Sequence, residues 1–298
     1  MKWKGNRKST NVEDRRGQSS GSSGGGLNPM LIGTLIKFLF SKTGLIIAGV
    51  LLVISFATGT NPLSFISNFL GGNTNQIQSS SPYNGTAKEN ELADFSKVIL
   101  GNTEDVWNTI LTNYREPTLV LFTQSVSSAC GSASSSTGPF YCPADEKLYL
   151  DLSFFQEMET KLNAPGDFAQ AYVIAHEVGH HIQKITGISD KVQRLRAQLS
   201  QTEYNKYSVK LELQADFLAG VWAHHSQQMS KMMETGDLQE ALNAAFAIGD
   251  DRLQKQSSGR VVPDSFTHGT SAQRIRWFQK GFDTGDINQG DTFNTNSL

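Results

Sequence analysis

Ala175-His176-Glu177-Val178-Gly179-His180-His181 is the stretch from which the rest of this chain is read. It contains H-E-x-x-H inside an apolar run that begins at Ala171. Phe168, Tyr172, Ala175, Gly179 and Ile182 recur at helical spacing, which predicts a helix from Asp167 to about Thr186, ended by Gly187. On that helix His176 and His180 share a face, one turn apart. Both imidazoles can reach one ion at zinc–nitrogen distances of about 2.0–2.1 Å. Glu177 is rotated off that face, so it misses the ion but reaches a water beside it, the place of a general base. Gly179 costs roughly 1 kcal/mol of helix propensity, and close approach of another helix is the expected return. His181 points about 100° away from His180 and is left out of the ligand set.

Two histidines do not complete the site, because a catalytic zinc takes three protein ligands and keeps one position open. No H-x-x-G-x-x-H continuation follows His180. Lys210-Leu-Glu212-Leu-Gln-Ala215-Asp216-Phe-Leu-Ala219-Gly220 reads instead as a second helix. Its small residues suit close packing against the first helix. Glu212 as ligand gives a His₂Glu set, and Asp216, one turn on, can hold a ligand imidazole through its free N–H. A surface acidic pair is the alternative for these two carboxylates.

Composition narrows the classes around this motif. The chain has 298 residues, enough for a self-supporting core, and 26 Lys and Arg against 28 Asp and Glu, a net charge of −2. A globally basic nucleic-acid binder is therefore not expected. Two cysteines exclude a Cys₄ zinc site. Cys130 and Cys142 flank a Gly- and Ser-rich loop, and a bridge closing it would stabilise by roughly 3 kcal/mol. The alternative is two unpaired thiols. A bridge would mean an oxidising compartment.

The organisation is read in five parts. Residues 1–42 are a basic, Gly/Ser-rich tail with a juxtamembrane segment. Residues 43–60 carry no charge, and 18 helical residues span about 27 Å, close to the bilayer hydrocarbon. We read them as one uncleaved transmembrane helix; a cleaved signal peptide or a buried core helix are the alternatives. Residues 61–87 are an extended tether, 88–285 the metallopeptidase domain and 286–298 a C-terminal tail. Lys and Arg cluster at or before Lys42 and are missing from Thr43 to Ala87. The positive-inside rule then places the N-terminus in the cytoplasm and the domain in the periplasm or outside the cell.

Within the domain, helical spacing over Glu91–Thr112 is expected to split at Gly101-Asn102. Strands are expected at 117–124, 140–141 and 147–151, and helices at 153–162, 191–201, 204–228, 237–254 and 271–280. A few strands followed by many helices is an α+β, mostly helical arrangement with a small sheet. His224 and His225 are expected to end a helix, where imidazolium suits the dipole. The strand through Leu148-Tyr149-Leu150 offers an edge to an extended peptide.

His176–His180 followed by Glu212-Leu-Gln-Ala215-Asp216 resembles the gluzincin peptidases with a Glu-x-x-Ala-Asp second motif. More narrowly, the chain resembles the bacterial neutral zinc metallopeptidases of the YpfJ type. The likeness rests on Met1-Lys-Trp3, Glu13-Asp-Arg-Arg-Gly17, a single anchor, His-Glu-Val-Gly-His-His, Glu-Leu-Gln-Ala-Asp and the late His268-Gly-Thr-Ser-Ala-Gln-Arg274. The resemblance implies a zincin-like fold, Zn²⁺ and hydrolysis of peptides or proteins. It implies that His268 donates to the oxyanion and that Arg274 pairs with Asp216 or another site carboxylate. A loop-turn histidine and a surface arginine are the alternatives. The competing function is a non-catalytic, zinc-stabilised binding or scaffold module; Glu177 argues against it, since a structural site has no use for a general base.

Overall fold

The chain, in a computed structural model, is described over residues 1–18, 83–295 and 297–298. Its main sheet runs in the order β1 (Val12–Asp14), β2 (Thr118–Phe122), β6 (Lys147–Asp151), β5 (Phe140–Cys142). β1, β2 and β6 are parallel, and β5 is antiparallel to β6. The sequence of β2 alternates between two packed faces. Leu119 and Leu121 join the helical core with Leu148 and Leu150 of β6. Val120 and Phe122 enter a smaller cluster with Val126, Cys142 and Tyr149. Both faces are covered, which is why these strands read as continuous apolar runs. A hairpin of β3 (Ser125–Ser128) and β4 (Gly131–Ser134), not foreseen from the sequence, stands beside this smaller cluster.

Eight described helices accompany the sheet: α1 (Ala87–Ile110), α2 (Ser153–Thr160), α3 (Asp167–Ile185), α4 (Ile188–Leu195), α5 (Gln201–Ser230), α6 (Asp237–Ala247), α7 (Asp250–Ser258) and α8 (Ser271–Thr284). The architecture is the expected α+β, mostly helical with a small sheet. α5 is the central beam. Gly179 of α3 lies against it so closely that a Cβ there would stand 3.0 Å from the Ala215 carbonyl oxygen. Gly220 does not face α3 as expected but faces α8. A Cβ on Gly281 of α8 would lie 2.0 Å from the Phe217 carbonyl oxygen, so the α5–α8 crossing is backbone against backbone. His224 and His225 sit inside α5 rather than at its end. Their rings meet the Phe282 and Gly285 carbonyls at the C-terminus of α8, at 2.7 and 2.8 Å.

The expected break at Gly101-Asn102 is absent: α1 is continuous from its Thr86–Glu89 capping box. Residues 1–18 explain the glycine. They are no free tail but lie along α1, and a Cβ at Gly101 would come within 2.9 Å of the Arg7 carbonyl oxygen. Arg7 donates to the Gly101 carbonyl at 2.6 Å and to buried Glu104 at 2.8 Å. Ser9 and Asn11 also donate to Glu104, and Arg16 bonds Asp14 while its guanidinium stacks 4.9 Å from the Tyr83 ring centroid. The Met1 ammonium reaches Asp167, the first residue of α3, at 2.8 Å. Lys4, Arg7 and Lys8 thus pair with carboxylates of α1, while Arg15 and Arg16 pair with Glu13 and Asp14 of the segment itself.

Residues 1–18, expected as part of a tail, pack with the domain. Residues 1–18 and 83–298 form one compact unit and share a sheet. The anticipated helix at 43–60 and the tether up to residue 82 lie outside the described residues. Among those that are described, no helix is long and apolar enough to cross a membrane. Residues 286–293 are likewise part of the domain, not a tail: Thr292 is fully buried and donates to the Lys210 carbonyl at 2.7 Å.

Candidate metal centre

α3 and α5 bring His176, His180 and Glu212 together. Their ligand atoms all lie within 4.8 Å of one another. His176 Nε2 is 3.2 Å from Glu212 Oε2, and His180 Nε2 is 3.5 Å from Glu212 Oε1. Tetrahedral zinc with bonds of about 2.0–2.1 Å has ligand–ligand edges of roughly 3.3–3.4 Å, so the donor set fits this ion in chemistry and spacing. Burial works against charge on all three groups. The Asp216 and Glu212 carboxylates nevertheless raise His176 to about 10, and Glu212 raises His180. The facing imidazoles hold Glu212 well below the usual carboxylate range. The carboxylates thus favour protons on the two imidazoles, and those protons must leave before the ring nitrogens can hold an ion.

Each histidine is oriented from behind. His176 Nδ1 donates to Asp216 at 2.9 Å, which leaves Nε2 for a metal. Asp216 is fully buried and also accepts from Arg274 at 2.8 and 2.9 Å and from the Tyr172 hydroxyl. Burial pushes Asp216 up, and Arg274 and His176 more than reverse it. The structure thus joins Asp216 and Arg274 as a buried pair. His180 Nδ1 faces Gln183 Oε1 at 2.9 Å.

Glu177 is half-exposed, lines the cleft, and has no hydrogen-bond partner among the described residues. His268 lines the same cleft and bonds Asp250 through Nδ1 at 3.1 Å. Asp250 also accepts the backbone N–H groups of Thr267, His268 and Gly269, at 2.7, 2.7 and 3.1 Å, so the turn carrying His268 is wrapped round one carboxylate. Burial lowers the imidazole's affinity for a proton, and Asp250 and Glu212 outweigh it and raise His268.

The cleft encloses about 980 Å³. Its rim includes Pro139, Phe140 and Tyr141 of the β5 region, facing Val173, Ile248 and Leu253. The strand through Leu148–Leu150 is not available as an edge, because β6 lies between β2 and β5. The edge beside the metal centre is β5. A disulfide between Cys130 and Cys142 ties β5 to the loop after β3. His181, beside the motif, is buried away from the metal centre. Tyr141 donates to its Nδ1 at 3.0 Å, and its Nε2 donates to the Arg115 carbonyl at 2.6 Å, so it fastens β5 to α3.

Sequence reading missed Tyr172, Gln183, Gln214 and Asp250. Tyr172 and Gln183 stand four before His176 and three after His180, a helical spacing that could have found them. Asp250 lies far from His268 in sequence and had no local signal.

Fold and site together give a candidate metal centre, in which the H-E-x-x-H histidines of α3 meet a glutamate from α5. Residues 1–293 match the family described as "Putative neutral zinc metallopeptidase", and the chain belongs to that family. It is 50% identical over 297 residues to "Uncharacterized protein YpfJ" of Escherichia coli strain K12, covering 98% of this chain and 99% of that one. It is 42% identical over 224 residues to "Uncharacterized protein Mb2605" of Mycobacterium bovis, covering 71% and 74% of the two chains. "Uncharacterized protein Rv2575" of Mycobacterium tuberculosis strain H37Rv matches to the same extent. No solved structure matches the chain.

Proposed function

We propose that the protein is a zinc-dependent peptidase in which His176, His180 and Glu212 hold the ion. The observation that carries this is their convergence, at tetrahedral spacing, beside Glu177 in an open cleft. A zinc ion there supplies Lewis acidity and makes water a nucleophile near neutral pH. Glu177, without a protein partner of its own, takes the water's proton and passes it to the leaving amine. His268, held by Asp250 through Nδ1, presents Nε2 to the carbonyl oxygen as it gains charge. The β5 edge pairs with the backbone of an extended substrate. A purely structural zinc would be closed by a fourth protein ligand, and no such side chain stands in the cluster among the described residues.

The apolar stretch at 31–60 supports attachment to a membrane, with residues 1–18 and 83–298 on one side of it. The disulfide favours an oxidising compartment for that side. The test of activity is zinc content and peptide-library cleavage by wild type and Glu177→Gln. The variant should keep its zinc and lose at least about 10²-fold in rate; equal rates would refute the assignment. For attachment, tags at residue 18 and at the C-terminus should be reached by a membrane-impermeant reagent together or not at all. Reach of one alone would support the single crossing.

A further inference from the structure

Two buried amides join His180 to the main chain of the C-terminal segment. Gln183 Nε2 donates to the Leu211 carbonyl at 2.7 Å and to Gln214 Oε1 at 3.1 Å. Gln214 Nε2 donates to the Gly290 carbonyl at 2.9 Å. The direction of these bonds is fixed by the carbonyls at their ends. A main-chain carbonyl only accepts, so Gln214 must turn its NH₂ to Gly290 and its oxygen to Gln183. Gln183 must then spend both N–H groups on Leu211 and Gln214. Its oxygen is what remains for His180, and an oxygen there requires a proton on His180 Nδ1. Nε2, which faces Glu212, is then the nitrogen left for the metal.

The far end of this line is anchored. Gly290 lies so close to α5 that a Cβ would stand 2.5 Å from the Phe217 ring. Thr292 donates to the Lys210 carbonyl at 2.7 Å, and the Lys210 ammonium donates to the Phe293 carbonyl at 2.9 Å. Gln183 is fully buried and Gln214 is 8% exposed, so water does not compete readily for these bonds.

We infer that Gln183 and Gln214 form a directional relay by which Leu211 and Gly290 set the tautomer of His180, and that residues 287–293 are a strap positioning this ligand. The inference rests on the reading of His180 as a metal ligand. Neither glutamine nor the strap touches the metal position; they are positioning residues.

The test uses the zinc-loaded full chain, isotope-labelled at histidine, with wild type and Gln214→Met. Methionine keeps the length of the side chain and deletes both relay bonds. Zinc affinity, read by chelator competition, should fall by about 10–100-fold in the variant. In the same chain stripped of zinc, at a pH high enough to leave His180 neutral, the wild-type ring should show its proton on Nδ1, and the variant should lose that single pattern. A wild-type chain that binds no zinc would bring down the ligand reading itself. A chain that binds zinc but, stripped of it, carries the His180 proton on Nε2 would overturn the relay alone, and so would a Gln214→Met chain of unchanged affinity and unchanged ring spectrum. Should Gln214→Met not fold, Gln183→Met removes the acceptor that faces His180 Nδ1, and unchanged zinc affinity there would equally overturn the relay.

Discussion

Replacing Asp216 by asparagine should be among the most damaging single-atom changes available to this protein. The carboxylate is fully buried and Arg274 is only 2% exposed. Asp216→Asn leaves that guanidinium without a carboxylate in contact, since its other contacts are the Tyr172 hydroxyl, the Ile248 carbonyl and, at 3.5 Å, His176 Nδ1. Breaking a buried ion pair from one side costs about 3–5 kcal/mol, because the remaining charge stays desolvated. In a domain of this size each kcal/mol moves the melting temperature by about 2–4 °C, so a drop of roughly 6–20 °C follows. The companion is Asp216→Asn with Arg274→Met, which removes the orphaned charge. That double variant should melt closer to wild type than Asp216→Asn does. Melting is followed by circular dichroism with and without chelator, which separates the ion pair from the ion. A single variant within about 2 °C of wild type, or a double variant that loses the sum of its two parts, would refute the reasoning.

Two further outcomes are expected. His176, raised to about 10, is protonated near neutral pH without metal, His180 is shifted the same way, and both must be neutral to bind an ion. Zinc binding should therefore release protons, at least about one near neutral pH, and affinity should rise with pH up to the His176 value. Calorimetry in buffers of different ionisation enthalpy reads this, and binding without proton release would contradict the charged triad. Gly281→Ala should destabilise by more than about 3 kcal/mol, because its Cβ would fall 2.0 Å from backbone of α5 that cannot swing aside. Denaturant unfolding measures it, and a change below about 1 kcal/mol would mean the α5–α8 crossing is looser than described.

What the sequence revealed of the site was what helical periodicity can carry. His176, Glu177 and His180 lie within one turn and a half, and Glu212 and Asp216 within one turn. Their faces follow from residue numbers alone. The strands Thr118–Phe122 and Lys147–Asp151 were visible because both faces are buried. Everything misjudged depended on pairing across the chain. Arg7 looked like part of a membrane-flanking cluster because its carboxylate partners, Glu104 and Asp105, lie elsewhere in the chain; Arg15 and Arg16 pair with neighbouring Glu13 and Asp14, whose place in a sheet beside β2 had no local signal. Gly101 looked like a helix break when it is the place where Arg7 crosses α1. Asp250, which holds His268, and Gly290, which ends the glutamine relay, are likewise products of tertiary contact.

These long-range contacts share a target. α3, which carries H-E-x-x-H, is secured at its N-terminal end by the Met1 ammonium on Asp167 and by Glu240, which accepts the Phe168 N–H at 3.0 Å. Nearer its C-terminal end it is held through Gln183 and Gln214 by Gly290. Segments almost the whole chain apart thus brace one helix, and Arg274 braces His176 through Asp216. A metal centre assembled from such distant parts pays loop-closure entropy before any of its ligands is placed. The charged triad of His176, His180 and Glu212 is then a late product of folding, and an ion bound there stabilises the whole unit in proportion to its affinity. The groups that hold α3 in place are therefore spread across the chain, from Met1 to the strap at 287–293, rather than gathered near the motif that announces it.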